Sequence, residues 1–533
     1  MKKSIVYILL LFTCFFSCTD ELNQEPTDGR ETDETAFQED PLAAYQEIIA
    51  KVYASFILTG QQGPAGNADV SFPDEGFTSY IRQYFKLQEW STDEGICAWT
   101  DPGIPQINEN TWGTTNSLVS MIYSRIFFTV SIANDFLRQA TPEKLDARGL
   151  TASERELVER YSAEARFLRA MAYYHALDLF GNVAPVFETD PEGFFTPERM
   201  TRSELFDYVE SELLAIEGEL LAPRASYGRA DQGALWMLLA KLYLNAEVYT
   251  GTPRYTESLA QLNKVIQDGG YALADDYSYN FLADNHTSPE IIYPIVSDGE
   301  LMQNFGGTTF IIAASLGDPI SGATAESDFG TNQRWFGHRT RSSLIDKFDD
   351  FTGAGDERAI FGFDGFTKDI ETPRNYGEGF AVLKYKNRDK MGNPGSNIVF
   401  SDVDFPVFRL ADAYLMYAEC VVRGGAGGDM ATATQYINDL RDRAFGVGNP
   451  DGNVGQSEID LDFLIDERAR ELYWEAHRRQ DLIRFGNYTG STYNWPWKGG
   501  SASGTSIPDF RAIYPIPSAD LSANPNLIQN PGY

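Results

Sequence analysis

The sequence predicts a mainly all-α fold, in which helix pairs carry a long loop-rich face with short strands. Three observations predict it. Long segments repeat apolar residues at spacings of three, four and seven, which place them on one helix face. Small alanines recur where two such helices must approach. Between the helical blocks run stretches rich in Gly, Pro and aromatic residues, longer than simple connections and too aromatic for disorder.

The chain opens on "MKKSIVYILLLFTCFFSCTDELNQEPTDGRETDE". Lys2 and Lys3 give a basic start, and residues 5–16 an apolar run. That run is shorter than the roughly 20 apolar residues that span a bilayer, and it has the order of a secretory leader. Ser17 and Cys18 follow, as at a lipoprotein processing site, where the thiol is acylated and the peptide is cut just before it. Residues 1–17 are therefore expected to be a signal peptide, with Cys18 as the lipid anchor. Residues 18–39 are crowded with acids, among them Asp20, Glu21, Glu25 and Glu39. Such a segment buries too little surface to fold. It is expected to be a flexible tether, reaching about 25 Å. Residues 40–533 then form one domain, with loop-rich insertions at 59–115 and 285–406.

The first long helix is "SERELVERYSAEARFLRAMAYYHALDLFG", opened by a Ser153/Glu156 capping box and closed at Gly181. Leu157, Tyr161, Leu168, Ala172, His175 and Leu179 share one face. "DQGALWMLLAKLYLNAEVY" and "YTESLAQLNKVIQDGGY" make a helix pair across the Gly251–Pro253 break. "VFRLADAYLMYAECVVRGG" and "DMATATQYINDLRDRA" make another. "LIDERARELYWEAHRRQDLIRFG" reads as a single further helix. The pairs resemble degenerate tetratricopeptide units, and periodicity alone is met equally by plain antiparallel packing. Within 285–406, "TTFIIAA" and "FAVLKYKN" read as short strands. Residues 486–533 read as loop, pinned by Trp495 and Trp497. Trp236 and Trp474 fall in helical periods and read as core.

Composition bounds the function. Of 533 residues, 43% are apolar and 13% aromatic, ample for a packed core, and the formal net charge is −34. A field of that sign repels phosphate backbones, so nucleic acid is excluded as a partner. Beyond the leader, no stretch reads as membrane-spanning. Cys97 and Cys420 fit no metal spacing and make no disulfide scaffold. His175 reads as core, His477 as surface, and His286 and His338 as loop residues. No zincin, nucleophile-elbow, P-loop or dinucleotide motif occurs, and among 77 acids no carboxylate pair is marked out. At this level the reading is that the chain is not an enzyme.

At "AEARFLRAMAYYHALDLFGNVAPVFE" the chain resembles the SusD/RagB family of glycan-binding outer-membrane lipoproteins. "ALWMLLAKLYLNAEVYTG", "FPVFRLADAYLMYAEC", "RARELYWEAHRRQDLIRFG" and "YPIPSADLSANPNLIQNPGY" extend the resemblance across the chain in family order. The resemblance implies a binding protein without a required cofactor, built as a right-handed scaffold of tetratricopeptide-like helix pairs with a loop-rich ligand face. It also implies a SusC-like TonB-dependent transporter as partner, and attachment to the outer membrane facing the exterior. The acids after Cys18 resemble the family's surface-export signal.

In its loops the chain resembles the starch-binding branch of that family, at "DEGFTSYIRQYF", "STDEGICAWTDPGIPQ", "NFGGTTF" and "YNWPWKGGSASGTS". That implies an aromatic arc of Trp99, Trp335 and Phe305 for an α-glucan, with Asp74 and Arg82 gripping hydroxyls. A pyranose offers a C–H face to an indole and a hydroxyl rim to charged donors and acceptors. The chain departs from the branch in having Cys97 where a second tryptophan stands, one residue fewer after Trp99, and Phe305 in place of a tyrosine. A different glycan such as a β-glucan, a surface glycosidase and a protein-only scaffold are the competing readings. "SDVDF" sets Asp402 and Asp404 two apart in a loop and "ADN" offers Asp284, oxygen ligands of the kind that suit calcium. The branch also implies a structural calcium.

Overall fold

The computed structural model describes residues 33–70, 76–191 and 193–533. The leader, Cys18 and most of the expected tether lie outside the described residues, as does Asp74. The end of the expected tether belongs to the domain instead. Asp33–Glu39 is a helix, α1. Phe37 on it is buried, with the Arg148 guanidinium 3.5 Å above its ring and Tyr45 4.8 Å away. One aromatic side chain docks a segment whose average composition is that of a solvated chain.

Helix α2 (Pro41–Ala54) starts at Asp40, whose carboxylate accepts from the Ala43 N–H at 3.1 Å, with proline in the first turn. Helix α3 (Tyr80–Glu89) is buried along its whole length, inside a region expected to be loop. Helix α4 (Ser117–Gln139) packs on α5 (Ala152–Leu179), and α5 packs on α6 (Arg202–Ile216). By length and composition α4 could cross a membrane, against the sequence expectation. However, 67% of its most apolar window is buried inside the protein, as in a core helix. Helix α5 is capped by Thr151 and Glu154, two residues earlier than expected. Both pairs fit the capping pattern, and left-handed Gly149 (φ 69°) bars extension further upstream. The helix ends as expected at Gly181, with φ 67°.

Helix α7 (Gln232–Leu244) packs on α8 (Tyr255–Asn263). "TTFIIAA" is not a strand but part of α9 (Gly307–Ser315), every residue of which is buried. A helix enclosed on all sides is apolar all round, so its sequence carries no helical period. Helix α10 (Leu410–Val422) pairs with α11 (Met430–Phe445). The single helix expected at 464–486 is two, α12 (Leu461–Leu472) and α13 (Arg478–Arg484). Between them Trp474 (φ 64°) and Ala476 (φ 62°) take left-handed conformations.

Among the described residues the strands form three two-stranded antiparallel ladders. They are β1 (Gly95–Cys97) with β3 (His338–Thr340), β2 (Ile291–Ile295) with β6 (Phe405–Arg409), and β4 (Phe361–Gly362) with β5 (Ala381–Val382).

The helix break serves a buried ion network. Arg409, at the end of β6, donates to Glu290 (2.8 Å), Glu471 (2.7 Å) and Glu475 (2.6 Å). Arg443 on α11 also reaches Glu290 and Glu471, and Lys384 reaches Glu475 at 2.6 Å. All six side chains are almost wholly buried. Left-handed backbone on either side of Glu475 accompanies its carboxylate facing Arg409 and Lys384 rather than continuing a helix. His477, expected at the surface, is buried with its Nδ1 3.1 Å from Lys241 Nζ. Burial and that cation push its pKa down to about 3, so it is neutral.

These groups set the acid stability. Burial alone would raise Glu471, but Arg443, Arg409 and Arg358 outweigh it and hold the group at about 2. Asp481, buried against Arg468 and Arg484, also lies at about 2. An unfolded carboxyl titrates near 4, so the stability these pairs contribute is present above that pH and is lost as pH falls towards 2. His175 and His477, held near 3 mainly by burial, cost stability as pH falls from about 6.5, where the unfolded imidazoles take up protons. Glu89, raised by burial to about 7, acts oppositely between pH 7 and about 4.3. The melting temperature is therefore expected to change little from pH 7 to 5 and to drop steeply below about 4.3. Calorimetry across that range checks it, and a flat profile from pH 5 to 3 would contradict it.

Candidate functional site

The ladder of β1 and β3 builds the site. Cys97 pairs with His338 and Gly95 with Thr340, and the Ala98 N–H continues the ladder to the Gly337 carbonyl at 2.9 Å. Trp99 leaves one strand and Trp335 enters the other, so two side chains 236 positions apart in the chain become neighbours. Their ring centroids are 6.4 Å apart at 48°, and the Trp99 Nε1–H donates to the Trp335 carbonyl at 2.7 Å. The Trp335–Gly337 backbone is fixed in turn by α9. The N–H groups of Trp335, Phe336 and Gly337 donate to the carbonyls of Ala313, Leu316 and Ala314 at 2.8–2.9 Å. They satisfy carbonyls that a helix C-terminus leaves open.

Phe305 sits just before α9, its ring 6.0 Å from Trp335 at 55°. Each ring is thus turned by about half a right angle from the next. The three half-buried rings make a concave arc, not a flat strip.

Arg82, expected as a polar grip, lies on buried α3 rather than on a loop. Its guanidinium lies 4.6 Å from the Phe310 centroid and 5.7 Å from that of Trp335, and Nη1 donates to the Phe305 carbonyl at 3.0 Å. Arg82 therefore both lines the hollow and holds the Phe305 segment. Lys86, one turn on, sets Nζ 3.8 Å from the Phe77 centroid. His338 lies below in β3, not in a loop, its ring edge-on to Phe310 at 4.7 Å. Burial first, then Lys86 and Arg82, push its pKa well down, so it is neutral and packs behind the lining.

The arc borders an open hollow of about 540 Å³. Of the residues expected at the site, Arg82, Trp99, Phe305 and Trp335 line it together. Phe77, Asp101 and Gln333 also line it and were missed. Each lies within five residues of a residue the sequence reading had chosen, which is the signal that could have found them. Gln333 Oε1 accepts from the Trp335 Nε1–H at 3.2 Å. Cys97 is buried, and burial pushes its thiol up to about 12.

The three acids considered for calcium are not brought together as a metal group. Among the described residues no three His, Cys, Asp or Glu side chains gather in a way that could hold a metal ion. Asp404 accepts from the Tyr227 hydroxyl (2.6 Å) and the Ser297 N–H (2.8 Å), and burial raises it to about 6. Asp402 accepts from the Gly299 N–H and the Ser396 hydroxyl, both at 2.7 Å. Asp284 accepts from the Lys390 N–H at 3.2 Å. Each carboxylate is spent on a different loop contact.

Comparison with known proteins decides the family. The chain is 34% identical to the starch-binding protein SusD of Bacteroides thetaiotaomicron, over 99% of this chain and 98% of that one. It belongs to the SusD family. The family profile itself matches residues 362–533. The SusD-like protein P25 of Formosa agariphila is 26% identical over 99% of this chain and 98% of its own. Among solved structures, a SusD homolog from B. thetaiotaomicron superposes with a TM-score of 0.71 at 19% identity, covering 95% of this chain and 99% of that one. Surface glycan-binding protein A of the same organism, in complex with laminarihexaose, gives 0.67 at 20% identity, covering 92% and 99%. The mainly helical SusD fold expected from the sequence is the fold observed, and two of these proteins, SusD and surface glycan-binding protein A, are named as binding proteins.

The position of Trp99 depends on a glycine. A Cβ on Gly337 would stand 2.7 Å from the Trp99 indole. Gly337→Ala is expected to displace that ring and shift tryptophan fluorescence while the helical far-UV signal is unchanged. An unaltered emission spectrum would show that the ring is not seated against Gly337.

Proposed function

We propose that this SusD-family chain is a cell-surface lipoprotein that binds oligosaccharide or polysaccharide, starch-type α-glucan first. It delivers the glycan to a SusC-like TonB-dependent transporter in the outer membrane. The observation that carries the glycan reading is the concave arc of Trp99, Trp335 and Phe305 over the Arg82 guanidinium. Three rings that are not coplanar suit a chain that curves, as an α-1,4-linked glucan does, rather than a flat one. A flat β-1,4 ribbon would present its faces to coplanar rings. The 34% identity to a starch-binding protein points the same way.

Binding without turnover follows the relatives, of which SusD and surface glycan-binding protein A are named as binding proteins. The delivery role and the lipid anchor rest on family membership and on Cys18 after the leader-like run.

Each indole stacked on a sugar would remove on the order of 50–100 Å² from water, or about 1–2.5 kcal/mol. Millimolar to micromolar binding totals only about 4–8 kcal/mol. Trp99→Ala or Trp335→Ala should therefore weaken maltooligosaccharide binding about 10-fold, and the double variant should abolish it with melting unchanged. Calorimetry measures this, and two single variants that bind like wild type would remove the arc from the site.

Cys18→Ala should leave a precursor that is not retained at the surface and does not co-purify with the transporter from outer membranes. Protease access on whole cells reads the first and gentle solubilisation the second. Normal retention of the variant would refute the anchor.

A further inference from the structure

A second hollow, of about 160 Å³, adjoins the arc. Trp99 is the one residue common to both linings, so its indole is the wall between them. Behind it lie the small side chain of Cys97, the ring of Trp497, the Glu109 carboxylate and the Arg374 guanidinium.

The recess is built before any ligand arrives. Asn108 clamps Cys97 from the floor, donating to its carbonyl at 2.8 Å and accepting from its N–H at 3.1 Å. Arg339, opposite Ile96 in the ladder and wholly buried, donates to the backbone carbonyls of Pro373, Asn375 and Glu378. Those three bonds pin the loop that carries Arg374. Trp497, left-handed at φ 70°, is tied by its Nε1–H to the Ile370 carbonyl at 2.9 Å. Two fixed indoles, an acid and an arginine are the groups that take the C–H face and the hydroxyl rim of a sugar.

We infer that this recess is a side subsite for a single sugar unit branching from the glycan held on the arc. The inference rests on the glycan reading above. Size and partition give the assignment. The recess has less than a third of the volume of the arc hollow, room for one ring and not for a chain. A linear chain stacked along the arc stays on one side of the Trp99 wall. A unit on the other side leaves the main chain at a branch point.

Calorimetry on the mature protein tests this with maltoheptaose and with a seven-unit maltooligosaccharide carrying one α-1,6-linked glucosyl branch. Wild type is expected to bind the branched ligand about 10-fold tighter than the linear one. The Glu109→Gln/Arg374→Ala double variant should bring the ratio to about one. Cys97→Trp, which fills the recess, should do the same, with thermal melting as the folding control. Because Cys97 is buried, the double variant decides if Cys97→Trp fails to fold. Equal affinities in wild type, or a preference that survives the double variant, would overturn the side subsite and leave the arc intact. Wild type that binds neither ligand would instead overturn the α-glucan reading, and the side subsite with it.

Discussion

The structure hangs on a buried ion network centred on Arg409. One guanidinium engages carboxylates from three segments, Glu290 ahead of β2, Glu471 on α12 and Glu475 in the break after it. Arg443 and Lys384 close the circuit from α11 and from beyond β5. Arg358 extends it to Asp356, Glu467 and Glu471. Buried ion pairs contribute little net stability against apolar replacements, because desolvation offsets the attraction. Removing one partner, however, strands a charge at roughly 3–5 kcal/mol. Packings that break a pair are therefore the ones penalised. Here the network fixes the mutual register of the β2–β6 ladder, α11 and α12.

The network reaches the ligand face through the helix break it shapes. Turning Glu475 inwards leaves Trp474 and Ala476 left-handed on either side. The Trp474 ring then lies under Gly95, where a Cβ would meet it at 3.0 Å. The Ala476 N–H donates to Glu89 Oε1 at 2.6 Å, at the far end of the helix that carries Arg82. Thus β1, which positions Trp99, and α3, which positions Arg82, both rest on the same break. The arc is fixed by backbone ladders and by a C-terminal ion network rather than by the loops that present it.

Charge is segregated accordingly. The chain carries a net −34, yet the groups beneath the arc are the cations Arg82 and Lys86 and the neutral His338. A sugar carries no charge, so the acidic exterior neither steers nor repels it. The polar groups of the lining, Arg82, Asp101 and Gln333, rather than the global field, are what it meets.

The sequence by itself determined the helical scaffold and its α5 end at Gly181, while the family and the grouping of Arg82, Trp99, Phe305 and Trp335 came from its resemblance to known members. Apolar periodicity and loop tryptophans are local signals, and they survive in one chain read end to end. It could not show that α9 is a helix, because a segment buried on all sides has no period. Nor could it show the break at Trp474–Ala476, because helical spacing continues through it while the ion network overrides it. Phe37 shows the same limit in the tether, where one docked ring outweighs a run of acids. The position of Arg82 on a buried helix, the separation of Asp284, Asp402 and Asp404, and the recess behind Trp99 were decided only by tertiary structure. Each depends on which distant backbone groups meet, Cys97 with His338 or Arg339 with Pro373, and nothing in the spacing along the chain encodes those meetings.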